Sequence, residues 1–522
     1  MGGSRRSAGG GEPASRRAVS GTVAVVDIGS NSGRVMVYAD EPGGQLHILA
    51  GSRASLRLAR GLGASGRIPA DALDRTLEAL RDFRSIARGS GARRIVAAGT
   101  SALRDATNGP AFIRRVREEL GFEIRVLSGV EEARYGFLGA VGGLPVDDGV
   151  LFDLGGGSLQ VGRFQARRLL GAVSVPLGSL RVSDAFLKSD PPTPRELRKL
   201  REHVRATLEE AGVSPLVAGG QVVGTGGTVR NLARIDERSA GYPIRRLHGY
   251  VLTRRRLHKI AGALAGMRLK KRGRVAGLNA DRSDSVAGGA IVLDSLLEFL
   301  GAEEIVVSGQ GVREGLARSL VRASLDPAPA VRRGAILALA RRFAGWSSDR
   351  AERRSATVRA LGDSLGRWPS SEVGELLEHA ACLLDTGRTI DFFDRHEHVA
   401  DLVLATDLAG FSHRQVALLS AIVRKAGDED APTRSLAPLV RARDQPDVSR
   451  AAVLLALADE ITERCPPAAD PALSCRVRGG EARVSVSALA SWSVRSIGER
   501  FEAAFGLRLR VVPGFVVPGG RG

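Results

Sequence analysis

Two stretches of the chain carry the same order of apolar and polar positions. Thr22 to Tyr38 reads T-V-A-V-V-D-I-G-S-N-S-G-R-V-M-V-Y: an apolar strand ending at Asp27, a small polar turn from Gly29 to Gly33, and a second apolar strand. Val150 to Val161 reads V-L-F-D-L-G-G-G-S-L-Q-V and repeats that order, with Asp153 ahead of Gly155, Gly156, Gly157 and Ser158. Each pattern predicts a β-hairpin with a carboxylate at its tip. Turns of this composition bring successive backbone N–H groups into a concave nest for an oxyanion. Two copies at the head of two halves predict a duplicated α/β unit, with two acidic hairpins facing across a cleft. Carboxylates and phosphates repel unless a cation lies between them, so the pattern points to a Mg²⁺–phosphate site.

The remaining pattern is read more briefly. Helical spacing of Leu73, Leu77, Leu80, Phe83 and Ile86 predicts a helix from Pro69 to Ser90. Arg94 to Ala98 and Glu123 to Ser128 read as strands, and Gly129 opens a helix with Glu131 and Glu132 in its first turn. The helix dipole is by itself a sufficient reason for that acidic pair. A helix is also predicted from Arg195 to Ala211. Beyond Arg322 the stretches 331–344, 351–365, 372–384 and 415–426 read as amphipathic helices with no strands between them, and 474–517 alternates as a small α/β cap.

Composition narrows the class. The 522 residues allow several domains, and 43% apolar residues suffice for real cores. No run of 18 apolar residues exists, so no membrane span is expected. Residues 1–20 carry four arginines among Gly, Ser and Ala and read as a disordered basic tail rather than a signal peptide. Three scattered cysteines give no disulfide framework, which suits a cytoplasmic protein. The net charge of +19 fits either polyanionic partners or a generally arginine-rich composition. The basic run Arg254 to Arg274 reads first as a solvated helical face, with a track for a long polyanion as the alternative. Arg104 reads as a phosphate clamp or as a surface partner of Asp105.

Taken in order, Asp27 to Ser32, Gly99 to Arg104, Ser128 to Ala133, Asp153 to Ser158, Val223 to Thr228 and Ser308 to Ala317 resemble the motif set of the exopolyphosphatase / guanosine pentaphosphate phosphatase (Ppx/GppA) family. The resemblance implies an α/β fold made of a duplicated actin-like (RNase H-like) pair of lobes, followed by an all-α HD-like domain and a small C-terminal α/β cap. The boundaries expected are 21–142 for the first lobe, 143–322 for the second, 323–470 for the helical domain and 471–522 for the last segment.

Carried over residue by residue, the resemblance makes Glu132 the base that activates water and sets Arg104 on the terminal phosphate. Ser30, Asn31, Ser32, Gly155, Gly156, Gly157, Ser158, Gly226 and Thr228 become the phosphate cradle. Asp27, Asp153 and Gln160 become the Mg²⁺ positions. Two departures stand out: Gln160 replaces the family's usual Glu, and Gly33 replaces a bulky apolar residue.

The helical domain holds Asp394, His396 and His398, but the position of the family's His-Asp pair reads Leu384-Asp385, and Arg424-Lys425-Ala426 lacks a histidine often found there. No working metal centre is expected there. The implied activity is Mg²⁺-dependent release of terminal phosphate from inorganic polyphosphate. Guanosine pentaphosphate hydrolysis, or binding of either compound without turnover, are the alternatives. A homodimer is the implied assembly, and nucleic acid is not the expected partner.

Overall fold

The structure is a computed structural model, and it describes residues 21–41, 45–60, 62–321, 324–366, 369–466, 473–487, 489, 492 and 494–514. The basic tail expected at 1–20 lies outside the described residues.

The duplication is visible in the strand order. The first sheet holds β1 (Val23–Ile28), β2 (Ser32–Glu41), β3 (Gln45–Ser55), β4 (Arg94–Gly99) and β5 (Ile124–Val126) in the order β3-β2-β1-β4-β5. The second holds β6 (Gly149–Leu154), β7 (Leu159–Gln165), β8 (Arg168–Val175), β9 (Gln221–Thr225), β10 (Tyr250–Thr253) and β11 (Glu304–Val307) in the order β10-β11-β9-β6-β7-β8. In both, the leading strand pairs antiparallel with the second and parallel with the fourth. Chain order and hydrogen-bond sense repeat together.

Each sheet is covered by helices whose apolar stripes face it. The helix Ala70–Gly89 buries Leu77, Leu80 and Phe83 on the first sheet, close to the span its periodicity predicts. The helix Val286–Leu300 is buried on nearly every face and forms the centre of the second lobe.

The lobes meet where two helices cross, Gly129–Gly142 and Val312–Val321. A Cβ built on Gly139 would lie 1.9 Å from the Gly311 carbonyl oxygen, and one on Gly315 would lie 1.7 Å from that of Tyr135. Only glycine allows this backbone contact. Val312, Leu316 and Ala317 of the second crossing helix share a core with Val23 and Val25 of β1, so the chain returns to the first sheet before it leaves the two lobes.

After the lobes come helices Ala328–Ala340, Ser348–Leu365, Ser371–Leu383, Arg395–Ala405, His413–Gly427 and Gln445–Arg464. The last of these is the spine of the domain, and pattern reading misses it because apolar residues cover all its faces. The terminal unit joins β12 (Leu473–Arg478), β13 (Glu481–Ser487), the helix Arg495–Phe505 and β14 (Arg508–Gly514). Its Val484, Phe501 and Phe505 belong to the same core as the helices, so it is a side wall of that domain.

The Asp385 carboxylate, at the expected HD position, is fully buried and taken up by arginines. Arg354 lies 2.9 Å and Arg388 2.7 Å from its Oδ1, and Arg354 also reaches Asp459 at 2.9 Å. Among the described residues no group of three or more His, Cys, Asp or Glu gathers at metal-holding distance.

Candidate functional site

The two hairpin turns are built alike. The Gly29 N–H donates to the Ser32 carbonyl at 3.1 Å, and the Gly155 N–H donates to the Ser158 carbonyl at 3.0 Å. The turns touch: a Cβ on Gly156 would lie 3.3 Å from the Ser30 Cβ, and one on Gly157 would lie 2.6 Å from the Ser101 Oγ. Ser30 and Ser101 are themselves joined through their hydroxyls at 2.8 Å.

Between the turns lies a cavity of about 110 Å³. Asp27, Ser30, Asn31, Ser32, Glu132, Asp153, Gly155, Gly156, Ser158 and Gly226 line it, so most of the residues selected from sequence converge on one cleft. Gly226, at φ +106°, caps the helix Gly227–Ala240 and approaches the Asp153 carboxylate, where a Cβ would lie 2.9 Å from Oδ1.

Four of the selected residues stand back from the cavity. Gly157 packs on the first-lobe serines, and Thr228 is buried against Gly289. Gln160 is buried, with its Nε2 donating to the hydroxyls of Ser158 at 2.8 Å and Ser174 at 3.1 Å, while its Oε1 has no partner. Arg104 donates to the Leu127 carbonyl at 2.7 Å and to Glu132 Oε2 at 3.3 Å, so its guanidinium holds the carboxylate.

The acidic pair at 131–132 splits. Ser128 and Glu131 form a capping box, Glu131 accepting from the Ser128 N–H at 2.9 Å, which accounts for Glu131 structurally. Glu132 faces the cavity at 7% exposure. Burial first, and then the Asp153 charge, push its pKa up to about 8 against the pull of Arg104. Asp153 is pushed up to about 6 by burial, with Arg230 opposing and Asp27 adding to the rise. Asp27 is raised by burial despite Arg313 and Arg34. Burial is the largest cause of the rise in all three carboxylates.

Sequence reading does not single out the arginines of the cleft. Arg34, Arg230, Arg282 and Arg313 all line it, together with Glu314. Burial lowers Arg230 to about 9 and Arg282 to about 10. Burial also pushes Glu314 up, but Arg313 and the Gly311 N–H more than reverse this, and its pKa lies below the ordinary value. Arg34 was within reach of the sequence, since hairpin register sets it opposite Asp27. Arg230 and Arg282 come from distant segments that only the tertiary fold brings in.

Two family matches divide the chain. Residues 36–323 match the Ppx/GppA phosphatase family, and residues 331–488 match Ppx/GppA phosphatase, domain III. Exopolyphosphatase 1 of Mycobacterium tuberculosis is 31% identical over 333 residues, covering 62% of this chain and 96% of that protein. Exopolyphosphatase 2 of the same organism is 32% identical over 316 residues, covering 57% and 98%. Among solved structures, the Aquifex aeolicus PPX-GPPA enzyme is 28% identical with a TM-score of 0.50, covering 57% of this chain and 99% of that one. An exopolyphosphatase from Cytophaga hutchinsonii, at 24% identity, has a TM-score of 0.54, covers 57% and 98%, and bears on the fold alone.

Proposed function

Because the chain belongs to the Ppx/GppA phosphatase family and is a phosphoanhydride hydrolase, we propose that it releases terminal phosphate from inorganic polyphosphate with the help of Mg²⁺. The observation that carries this reading is the meeting of Glu132, Asp27 and Asp153 with two serine- and glycine-built turns around one cavity.

The donor set fits a hard cation. Asp27 and Asp153 offer two buried carboxylates whose pKa values are raised by burial, and a divalent ion between them would reverse that rise. Mg²⁺ commonly takes one or two carboxylates and completes its shell with water and phosphate oxygens, and when bound it would neutralise charge on the phosphate groups. Gln160 lies behind the turn, with its Nε2 engaged, so its contribution is to hold Ser158 and Ser174.

The chain's own residues supply the rest. The turns at 29–32 and 155–158 aim N–H and hydroxyl groups at the terminal phosphate, and Arg34, Arg230, Arg282 and Arg313 offset its charge. Glu132, steered by Arg104, takes a proton from water as the water oxygen bonds to the terminal phosphorus. The bond from phosphorus to the bridging oxygen breaks, and the shortened chain leaves with the electron pair. Positioning and charge neutralisation lower the barrier, as in phosphoryl transfer generally.

The experiment is a side-by-side rate of phosphate release from long-chain polyphosphate and from guanosine pentaphosphate, with Mg²⁺ and with chelator. Faster Mg²⁺-dependent release from polyphosphate supports the proposal. A preference for guanosine pentaphosphate moves the substrate assignment to the nucleotide, and equal rates in chelator remove the metal.

A further inference from the structure

One partly buried arginine touches both halves of the cleft. Arg57 follows β3 in a left-handed backbone conformation, φ +53°, which side chains with a Cβ seldom adopt. The backbone N–H groups of Leu56 and Arg57 both donate to the Asn31 carbonyl at 3.0 Å, tying this corner to the first-lobe turn. Its side chain crosses to the other lobe, where Nη2 donates to the Asp281 carbonyl at 2.9 Å and lies 3.2 Å from the Asp284 carboxylate.

Between those two aspartates sits Arg282, which is 7% exposed and lines the cavity. Its guanidinium lies flat against the start of the helix Gly227–Ala240, so that a Cβ on Gly227 would fall 2.1 Å from one nitrogen. The 280s segment has further anchors: the Arg272 Nη1 reaches the Ser283 carbonyl at 3.3 Å, and Arg53 pairs with Asp281 at 3.9 Å. Arg57 joins this segment to the Asn31 carbonyl on the cavity wall.

We propose that Arg57 is a positioning residue that fixes Arg282 over the bound phosphate by locking the 280s segment to the first-lobe turn. The proposal rests on the reading of the cleft as a phosphate site. The left-handed corner directs both adjacent N–H groups at one carbonyl while the side chain reaches the opposite lobe, and an extended residue there would give up one of these links. A strained conformation kept at such a place is expected where geometry matters for function.

The test is a double-mutant cycle on the full-length chain. Arg57→Asn keeps a residue that tolerates the left-handed region and removes both the reach and the charge, and Asp284→Asn removes the ion pair from the other side. Each is made alone and in the Arg282→Ala background, and kcat and KM are read on inorganic tripolyphosphate. The expected result is a fall of about tenfold in kcat/KM for Arg57→Asn, a smaller one for Asp284→Asn, and less than twofold for either once Arg282 is gone. Arg57→Lys should recover part of the loss, because it restores charge and reach.

An undiminished effect of Arg57→Asn in the Arg282→Ala background would overturn the proposal. So would wild-type kinetics for Arg57→Asn alone. Absence of hydrolysis by the parent chain would count against the proposed function instead. The same cycle read as tripolyphosphate affinity by calorimetry would still decide the role of Arg57.

Discussion

The two hairpins share a backbone and differ in charge. In the first, register puts Asp27 opposite Arg34, and in the second it puts Asp153 opposite Gln160. The second lobe draws its cation from another element, Arg230 on the helix after β9, whose Nη1 is also held by the Gly309 carbonyl at 3.2 Å. Duplication therefore fixed where the carboxylates stand, while each copy found its own way to balance them. Glu132 sides with the second copy: the Asp153 charge raises its pKa more than the Asp27 charge does.

Glu132→Gln should give the largest effect, a loss of about 10³-fold in kcat with tripolyphosphate affinity retained, measured by phosphate release and calorimetry. The same variant reports on stability. The folded pKa of Glu132 lies above its unfolded value, so its contribution is complete below about pH 4.5 and is lost as pH rises through about 8. In chelator, Glu132→Gln should match the parent at pH 4 and exceed it by about 2 to 5 kcal/mol at pH 9 in denaturant melts. A parent as stable as the variant at pH 9 would mean that Glu132 ionises freely.

Asp153→Asn and Asp27→Asn separate the two copies directly. Both should weaken Mg²⁺ binding and lower turnover, by about 10²-fold each if the ion sits between them. Asp153→Asn should move the acid limb of the pH–rate profile down by about one unit and Asp27→Asn by less, because Asp153 is the like charge that raises Glu132 more. Equal movement in both variants would erase the asymmetry. The smallest change expected is for Gln160→Glu, which restores a carboxylate behind the second turn and should raise Mg²⁺ affinity by about threefold to tenfold in titration calorimetry. Unchanged affinity would mean that position 160 serves the turn alone.

Much of this was legible before any coordinates. The hairpins, the helix beginning at Gly129 and the helical character beyond residue 322 follow from local periodicity and turn chemistry, which act over a few residues. Asp27 and Asp153 were legible because each stands near the end of such a strand, and Glu132 was told apart from Glu131 by the family resemblance. Arg230 and Arg282 were not, since a surface arginine and a buried one read alike until the fold closes around them. Thr228 and Gln160 show the converse: motif spacing picks them out, and the backbone turns them toward Gly289 and toward two hydroxyls. The helix Gln445–Arg464 escaped for a third reason, because an element buried all round has no polar face to set its period.

The glycine crossing beneath the cleft has a mechanical consequence. With Gly139 and Gly315 in backbone contact, there is no layer of side chains at that point to compress or slide. Relative motion of the lobes is left with rotation about the crossing, and displacement grows with distance from it. The floor of the groove, next to the fulcrum, keeps its spacing, and the links from Arg53 and Arg57 to Asp281 and Asp284 tie the lobes together away from it.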